Sequence, residues 1–274
     1  MKNLFFNVND NFNFIIQKQV KEIKSVKKIH SAWTNFVYLV EADTKKIIFR
    51  FPRNNFFAKA LKKEIRVSNA LYTYSSLPVN KLTPKKTSGK IFSMHFFIDG
   101  DCLTDVYEDF SLKEKKQFCK EIISYIKSIQ EIKKIKRLPK LSTFLEELTR
   151  LSLPTNICLP DFTRLKEMEK EKTVLCHGDL NPGNILLKNH SICCIIDFAF
   201  ASYSNALIDL SRLISRLPNE YYNYLIDEYE KTFHTVVNLL DLNYLINLWE
   251  KIEKNYIEYM KVYGKDICLP KFFY

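Results

Sequence analysis

Cys176-His177-Gly178-Asp179-Leu180-Asn181-Pro182-Gly183-Asn184 constrains this chain more than any other segment. Ile195-Ile196-Asp197-Phe198-Ala199 follows it after a short gap. Only 5 of 274 residues are glycine, and two of these, Gly178 and Gly183, fall here. Two β-like runs, 184–187 and 192–196, bracket the polar residues. A loop between buried strands could use one His and one Asp for turn hydrogen bonds. That does not account for the ordered set His177, Asp179, Asn184 and Asp197. An Asp held beside a hydroxyl can orient it or take its proton. An amide oxygen five positions on and a carboxylate on the neighbouring strand can share Mg2+, a hard cation that prefers oxygen ligands.

The rest of the chain supplies a setting. Residues 36–40 and 46–51 are strand-like runs joined by Ala42-Asp43-Thr44-Lys45, which suits a hairpin turn. Residues 57–74 carry apolar side chains at helical spacing (Leu61, Ile65, Leu71). Residues 91–98 read as another strand. From Ser111 onward the pattern is mostly helical, with Ser111 and Glu114 spaced as a capping box and Phe118, Ile122, Tyr125, Ile126 and Ile129 on one face. Residues 220–263 are again helical. The fold class expected is α+β in two lobes. A β-rich lobe with a small antiparallel sheet spans 1–97, with a hinge at 93–97. A larger helical lobe spans 98–274.

A His-x-Asp-Leu-x-x-x-Asn loop followed by a strand ending in Asp-Phe is the arrangement protein kinases use for phosphoryl transfer. Such a site needs a cation from a small-lobe strand and a helical carboxylate to hold it. Arg50, in Ile47-Ile48-Phe49-Arg50, and Glu64 on the next helix fill those places. Arg keeps the charge and adds bidentate phosphate geometry. No glycine-rich phosphate loop is present. His30-Ser31-Ala32-Trp33-Thr34-Asn35 stands in its position, where backbone amides and the Ser31 and Thr34 hydroxyls could meet phosphate.

Composition excludes other classes. Hydrophobic residues at 46% and charged residues at 27% are ordinary for a globular chain, neither disordered nor a disulfide scaffold. The net charge of +11 suits anionic ligands, although the richness in Lys, Asn, Ile and Phe is that of an AT-biased genome, and charge runs usually mark solvated faces. No nucleic-acid motif appears. Seven cysteines lack any CxxC pair, which fits reduced thiols and a cytoplasmic location. No signal peptide and no membrane-length apolar run is found.

These motifs resemble the aminoglycoside phosphotransferase and choline kinase superfamily, which shares the protein-kinase-like fold. The similarity runs from about Ile29 to Tyr263, and Gly178 in place of the kinase Arg favours this superfamily over protein kinases. Three features are similar to bacterial choline kinases: Ser31 to Asn35 with the following strand, Arg50, and the segment from Asp197 to Asn205 with Asp209-Leu210 downstream. The resemblance implies an ATP- and Mg2+-dependent kinase acting on a small alcohol, choline first. Ethanolamine, thiamine or an aminoglycoside is the alternative acceptor, and a catalytically dead binding module is a remoter one. It implies Asp179 as catalytic base, His177 as its orienting partner, and Asn184 and Asp197 as metal ligands. Arg50 would bind phosphates and Glu64 would orient it. Asn35 would belong to the phosphate loop. Ser93, Met94, His95 and Phe96 would offer backbone groups to adenine, and Asp209 would tie its helix to the catalytic loop.

Two departures bear on the acceptor. The family's Glu after Asp-Phe is Ala199 here, and of a Trp pair three residues apart only Trp249 remains, with Ile246 at the other position. Trp249, Tyr203, Tyr256 and Tyr259 are the candidate walls for a quaternary ammonium, which favours aromatic faces. The alternative for these four is ordinary packing at helical spacing. An aminoglycoside would instead want carboxylates, for which Asp227, Glu228 and Glu230 are candidates.

Overall fold

The structure, a computed structural model, describes residues 10–29, 34–74, 76–132, 135–152 and 160–263. The small lobe contains α1 (Asp10–Gln19), β1 (Ile23–Ile29), β2 (Asn35–Ala42), β3 (Lys46–Pro52), α2 (Asn55–Tyr74), β4 (Thr83–Thr87) and β5 (Lys90–Phe96). Its strands form one antiparallel sheet in the order β1-β2-β3-β5-β4. Side chains alternate across a strand, so Ile47, Phe49 and Phe51 of β3 face one side and Ile48 and Arg50 the other. The first side packs with Tyr38, Val40 and Phe92 against Phe12, Ile15, Ile16 and Val20. The second faces α2 and the cleft.

The sequence reading did not anticipate α1. Its apolar residues are spaced correctly, but Asn, Gln and Lys dominate between them. The strand expected over 91–98 ends at Phe96, so most of the expected hinge 93–97 is strand, and residues 97–100 make the crossing between lobes. A Cβ on Gly100 would lie 2.9 Å from both the Leu187 carbonyl oxygen and Cys193 Sγ. Bare backbone there lets the crossing lie directly on the large lobe.

The large lobe contains β6 (Asp101–Cys102), α3 (Leu103–Val106), α4 (Leu112–Gln130), α5 (Leu141–Ser152), α6 (Thr163–Glu171), β7 (Val174–Cys176), β8 (Ile185–Lys188), β9 (Ser191–Ile195), β10 (Ser202–Ser204), α7 (Ile208–Ile214), α8 (Glu220–Phe233) and α9 (Leu239–Tyr263). The expected capping box opens α4: Ser111 Oγ accepts from the Glu114 amide, and Glu114 returns a bond to the Ser111 amide. The predicted face of α4 is buried in the main core, with α7, α8 and the β8–β9 hairpin. The helix expected over 220–263 is two helices, broken where His234 takes the left-handed conformation at φ 52°. Antiparallel pairing of β7 with β10 sets Cys176 opposite Ser202. The loop after β7 and the segment after Asp197 are thereby brought side by side. Among the described residues no helix is long and apolar enough to cross a membrane.

Candidate active site

The loop after β7 is held from behind by one carboxylate. Asp209, at the start of α7 and without solvent exposure, accepts the backbone N–H groups of His177 and Gly178. Burial pushes its carboxyl above the usual range, against the pull of those hydrogen bonds. Gly178 has φ +79°, and a Cβ on it would meet the Phe200 carbonyl oxygen at 2.3 Å. No other residue fits so close to the neighbouring segment. His177 is fully buried; its Nδ1 accepts the Asp179 amide at 3.3 Å, and Nε2 lies 3.0 Å from the Ile196 carbonyl oxygen. Both ring nitrogens are engaged within the fold, so His177 orients the loop.

Asp179 projects from this frame. Its Oδ1 receives Asn181 Nδ2 at 3.0 Å and Arg212 Nε at 2.7 Å. Asn184 Nδ2 donates to the Asp179 carbonyl oxygen at 2.9 Å, which leaves the Asn184 amide oxygen for another partner. Asp197, left-handed at φ 65°, stands at the end of the hairpin with its Oδ1 3.4 Å from Arg50 Nη2. An amide oxygen and a carboxylate suit a hard divalent cation such as Mg2+, which takes its remaining ligands from phosphate and water.

Arg212 was missed by sequence reading. It follows Asp209 by three residues, which puts both on one face of α7, and that spacing was the available signal. Burial lowers the proton affinity of Arg212, but the carboxylates of Asp179 and Glu253 outweigh it and hold the guanidinium charged.

From the small lobe, Arg50 pairs with Glu64, both buried, and reaches Asp197 across the cleft. Burial pushes the Glu64 carboxyl up to about 7, against the pull of Arg50. The site thus joins β3, α2 and the large-lobe hairpin through one guanidinium. On β5, Ser93 lies opposite Arg50 and His95 opposite Ile48. Burial, then the Arg50 charge, pushes the His95 imidazole down to about 3, and its Nδ1 has no partner among the described residues. Met94 packs instead toward the α1 side. The Phe97 N–H donates to the Lys46 carbonyl at 2.9 Å. Antiparallel alternation then turns the N–H and C=O of Phe96 away from β3, beyond the end of β4 where Thr83 meets Met94. Neither β3 nor β4 takes those backbone groups. Thr34 and Asn35 are buried, with Asn35 Nδ2 donating to Thr34 Oγ1 at 2.8 Å. Ser31 lies outside the described residues.

The expected acceptor walls fare differently. Trp249 is only 2% exposed and its ring is covered by Arg212, with Cζ 5.0 Å from the centroid. It therefore presents no open face to an incoming ammonium. Tyr203 accepts the Ile135 amide on its hydroxyl at 2.7 Å and braces that loop from β10. The side chains of Tyr256 and Tyr259 lie outside the described residues. Of the acidic cluster, Glu230 accepts the Val237 amide and closes the turn after α8, and Glu228 faces Lys231 at 3.9 Å.

A sheet lobe over a helical lobe, with polar groups converging in the cleft between them, defines a phosphoryl-transfer enzyme of the protein-kinase-like fold. Residues 25–237 match the model of the phosphotransferase enzyme family (APH), and the chain belongs to that family. The fold is shared with the GDP and kanamycin complex of APH(2'')-IIIa, at TM-score 0.72 and 19% identity over 94% of each chain. An aminoglycoside-3'-phosphotransferase of type VIII gives TM-score 0.68 and 13% identity over 89% of this chain and 98% of its own. The macrolide 2'-phosphotransferase MphH from Brachybacterium faecium gives 0.63 and 12% over 95% of each. No curated protein sequence matches the chain.

Proposed function

We propose that the protein transfers the γ-phosphoryl group of ATP to a hydroxyl of a small cationic acceptor of the aminoglycoside type. The observation that carries this is that Arg50 reaches Asp197 from the small lobe, while the Asn184 side chain holds Asp179 and the Asn184 carbonyl takes the N–H of Ile196, the residue before Asp197. Asp179 would accept or orient the hydroxyl proton, held in register by Asp209 through the loop backbone. Arg50, steadied by Glu64, would bind phosphate oxygens, and Phe96 would offer its backbone to the purine. Asn184 and Asp197 would hold Mg2+, which would supply positive charge against the phosphates. The chain's own contribution is positioning and fixed electrostatics.

The acceptor reading rests on two supports. Structures of similar fold are named as aminoglycoside phosphotransferases, one with kanamycin bound. The choline expectation meanwhile loses its main aromatic wall, because Trp249 is paired with Arg212. The test is ADP release with ATP and Mg2+ across kanamycin, choline, ethanolamine and thiamine, with Asp179→Asn and a chelator arm as blanks. Turnover with kanamycin, lost in both blanks, is the expected result. Turnover confined to choline would overturn the acceptor class. Turnover that survives Asp179→Asn would overturn the mechanism. Silence with ATP still bound would favour a binding module.

A further inference from the structure

We propose that Glu253, on α9, is a positioning residue for Asp179 and acts through Arg212. The inference rests on Asp179 being the group that orients or accepts the hydroxyl proton. Arg212 lies between two carboxylates, with Nε 2.7 Å from Asp179 Oδ1 and Nη1 2.6 Å from Glu253 Oε1. Its side chain is 9% exposed, so water does little to screen either contact. The guanidinium lies over Trp249, whose Nε1–H donates to Ser211 Oγ at 3.2 Å on the residue before Arg212. Arg212 is thus fixed by the loop, by α9 and by an aromatic ring.

A buried guanidinium with a single carboxylate partner settles wholly on that partner. Two partners divide it, and the division sets how far it reaches over Asp179. Glu253 therefore governs a contact it does not itself make. Its second oxygen takes Arg216 at 3.2 Å, but Arg216 is half exposed, and such surface pairs contribute little. Among the described residues neither Arg212 nor Glu253 makes a hydrogen bond or ion pair to Arg50, Asp197 or Phe96. Loss of Glu253 should therefore disturb transfer to the hydroxyl and spare nucleotide binding.

Trp249 gives a readout independent of turnover. The chain has two tryptophans, so a Trp33→Phe background leaves Trp249 as the only reporter. In that background Glu253→Gln is expected to lower kcat roughly tenfold to hundredfold, with the nucleotide KM within about twofold, because a small misplacement is costly to a positioned group. Its Trp249 emission should change as the guanidinium shifts over the ring. Glu253→Asp should restore both in part, and Arg216→Ala should leave both native. Melting curves check folding, and Glu253→Asp decides the matter if Glu253→Gln does not fold. Native kcat in Glu253→Gln, beside a silent Asp179→Asn, overturns the role of Glu253 and leaves the Asp179 reading standing. A fall in kcat with unchanged Trp249 emission also overturns it, since the effect then bypasses Arg212. An active Asp179→Asn would remove the underlying reading instead.

Discussion

Asp209 takes the backbone N–H groups of His177 and Gly178 on its two carboxylate oxygens, each at 2.9 Å. One side chain at the start of α7 thus fixes the loop that carries Asp179. An Asn there can accept one of the two N–H groups but turns its own N–H2 toward the other. Hydrogen bonds to charged groups are worth roughly 1.5–3 kcal/mol, so Asp209→Asn should lower unfolding stability by about 2 kcal/mol and reduce kcat. Urea denaturation beside kinetics checks this. An Asn variant as stable as the native chain would show that charge is not what holds the loop.

Gly178→Ala is expected to be damaging for two separable reasons. The left-handed backbone penalises any Cβ, and the Phe200 carbonyl oxygen occupies the space that Cβ needs. Strain of about 1–3 kcal/mol, before the steric displacement, corresponds to a fall in Tm of about 2–12 °C. A Gly178→Ala protein that melts like the native one would contradict the close approach.

Arg50→Lys should keep the fold and weaken nucleotide binding. Lysine is a point charge and cannot serve Glu64 and Asp197 together as a planar fork can. A rise in nucleotide KM of about tenfold is expected, equivalent to about 1.4 kcal/mol. Arg50→Met should be worse, since it leaves Glu64 buried without its counter-charge, a loss of about 3–5 kcal/mol. Nucleotide titration and thermal melts separate the two effects.

Lys63 gives a pH dependence with a definite sign. It is 7% exposed, with Nζ 3.6 Å from the Phe144 ring centroid, near Glu64, Arg66 and Glu147. Burial holds its ammonium down to about 7, against an ordinary value of 10.5. Between those values the unfolded chain binds more protons than the folded one, so stability from this group rises with pH. Below the folded value, burial of the charge carries its full cost. Relative to Lys63→Met, native stability should therefore climb from pH 7 to 9, by at most about 1.4 kcal/mol per unit. Melting curves for both proteins across that range measure the slope, and parallel curves would refute it.

The parts legible in the sequence are those encoded over short distances. Asp179, Asn184 and Asp197 lie within one loop and hairpin, so their spacing alone brought them up as candidates, and the structure pairs Asn184 with Asp179. Arg50 and Glu64 were found from the order of strand then helix. Arg212 was not, because its burial depends on Glu253 and Trp249, which α9 brings from far along the chain. The same packing defeated the reading of Trp249 as an open wall, since period and composition do not tell which face of α9 meets α7. The strand β1, with four lysine or serine residues in seven, carries little of the alternation that made β3 plain.

By sequence α2 belongs to the small lobe, but both its ends are buried elsewhere. Phe56 stacks on Phe144 of α5, which in turn meets Phe200, while Val67 and Leu71 enter the main core. Its middle meets the sheet side: Ala58, Leu61 and Ile65 pack on Leu82 and Ile91, Glu64 pairs with Arg50, and Asn69 bonds to the Leu82 backbone. Helix α2 therefore belongs to neither lobe alone: it packs under the sheet and into the large lobe at once. The Arg50 guanidinium on β3 meets both Glu64 of that helix and Asp197 of the large lobe, so any displacement of the sheet against them would strain the two ion pairs together.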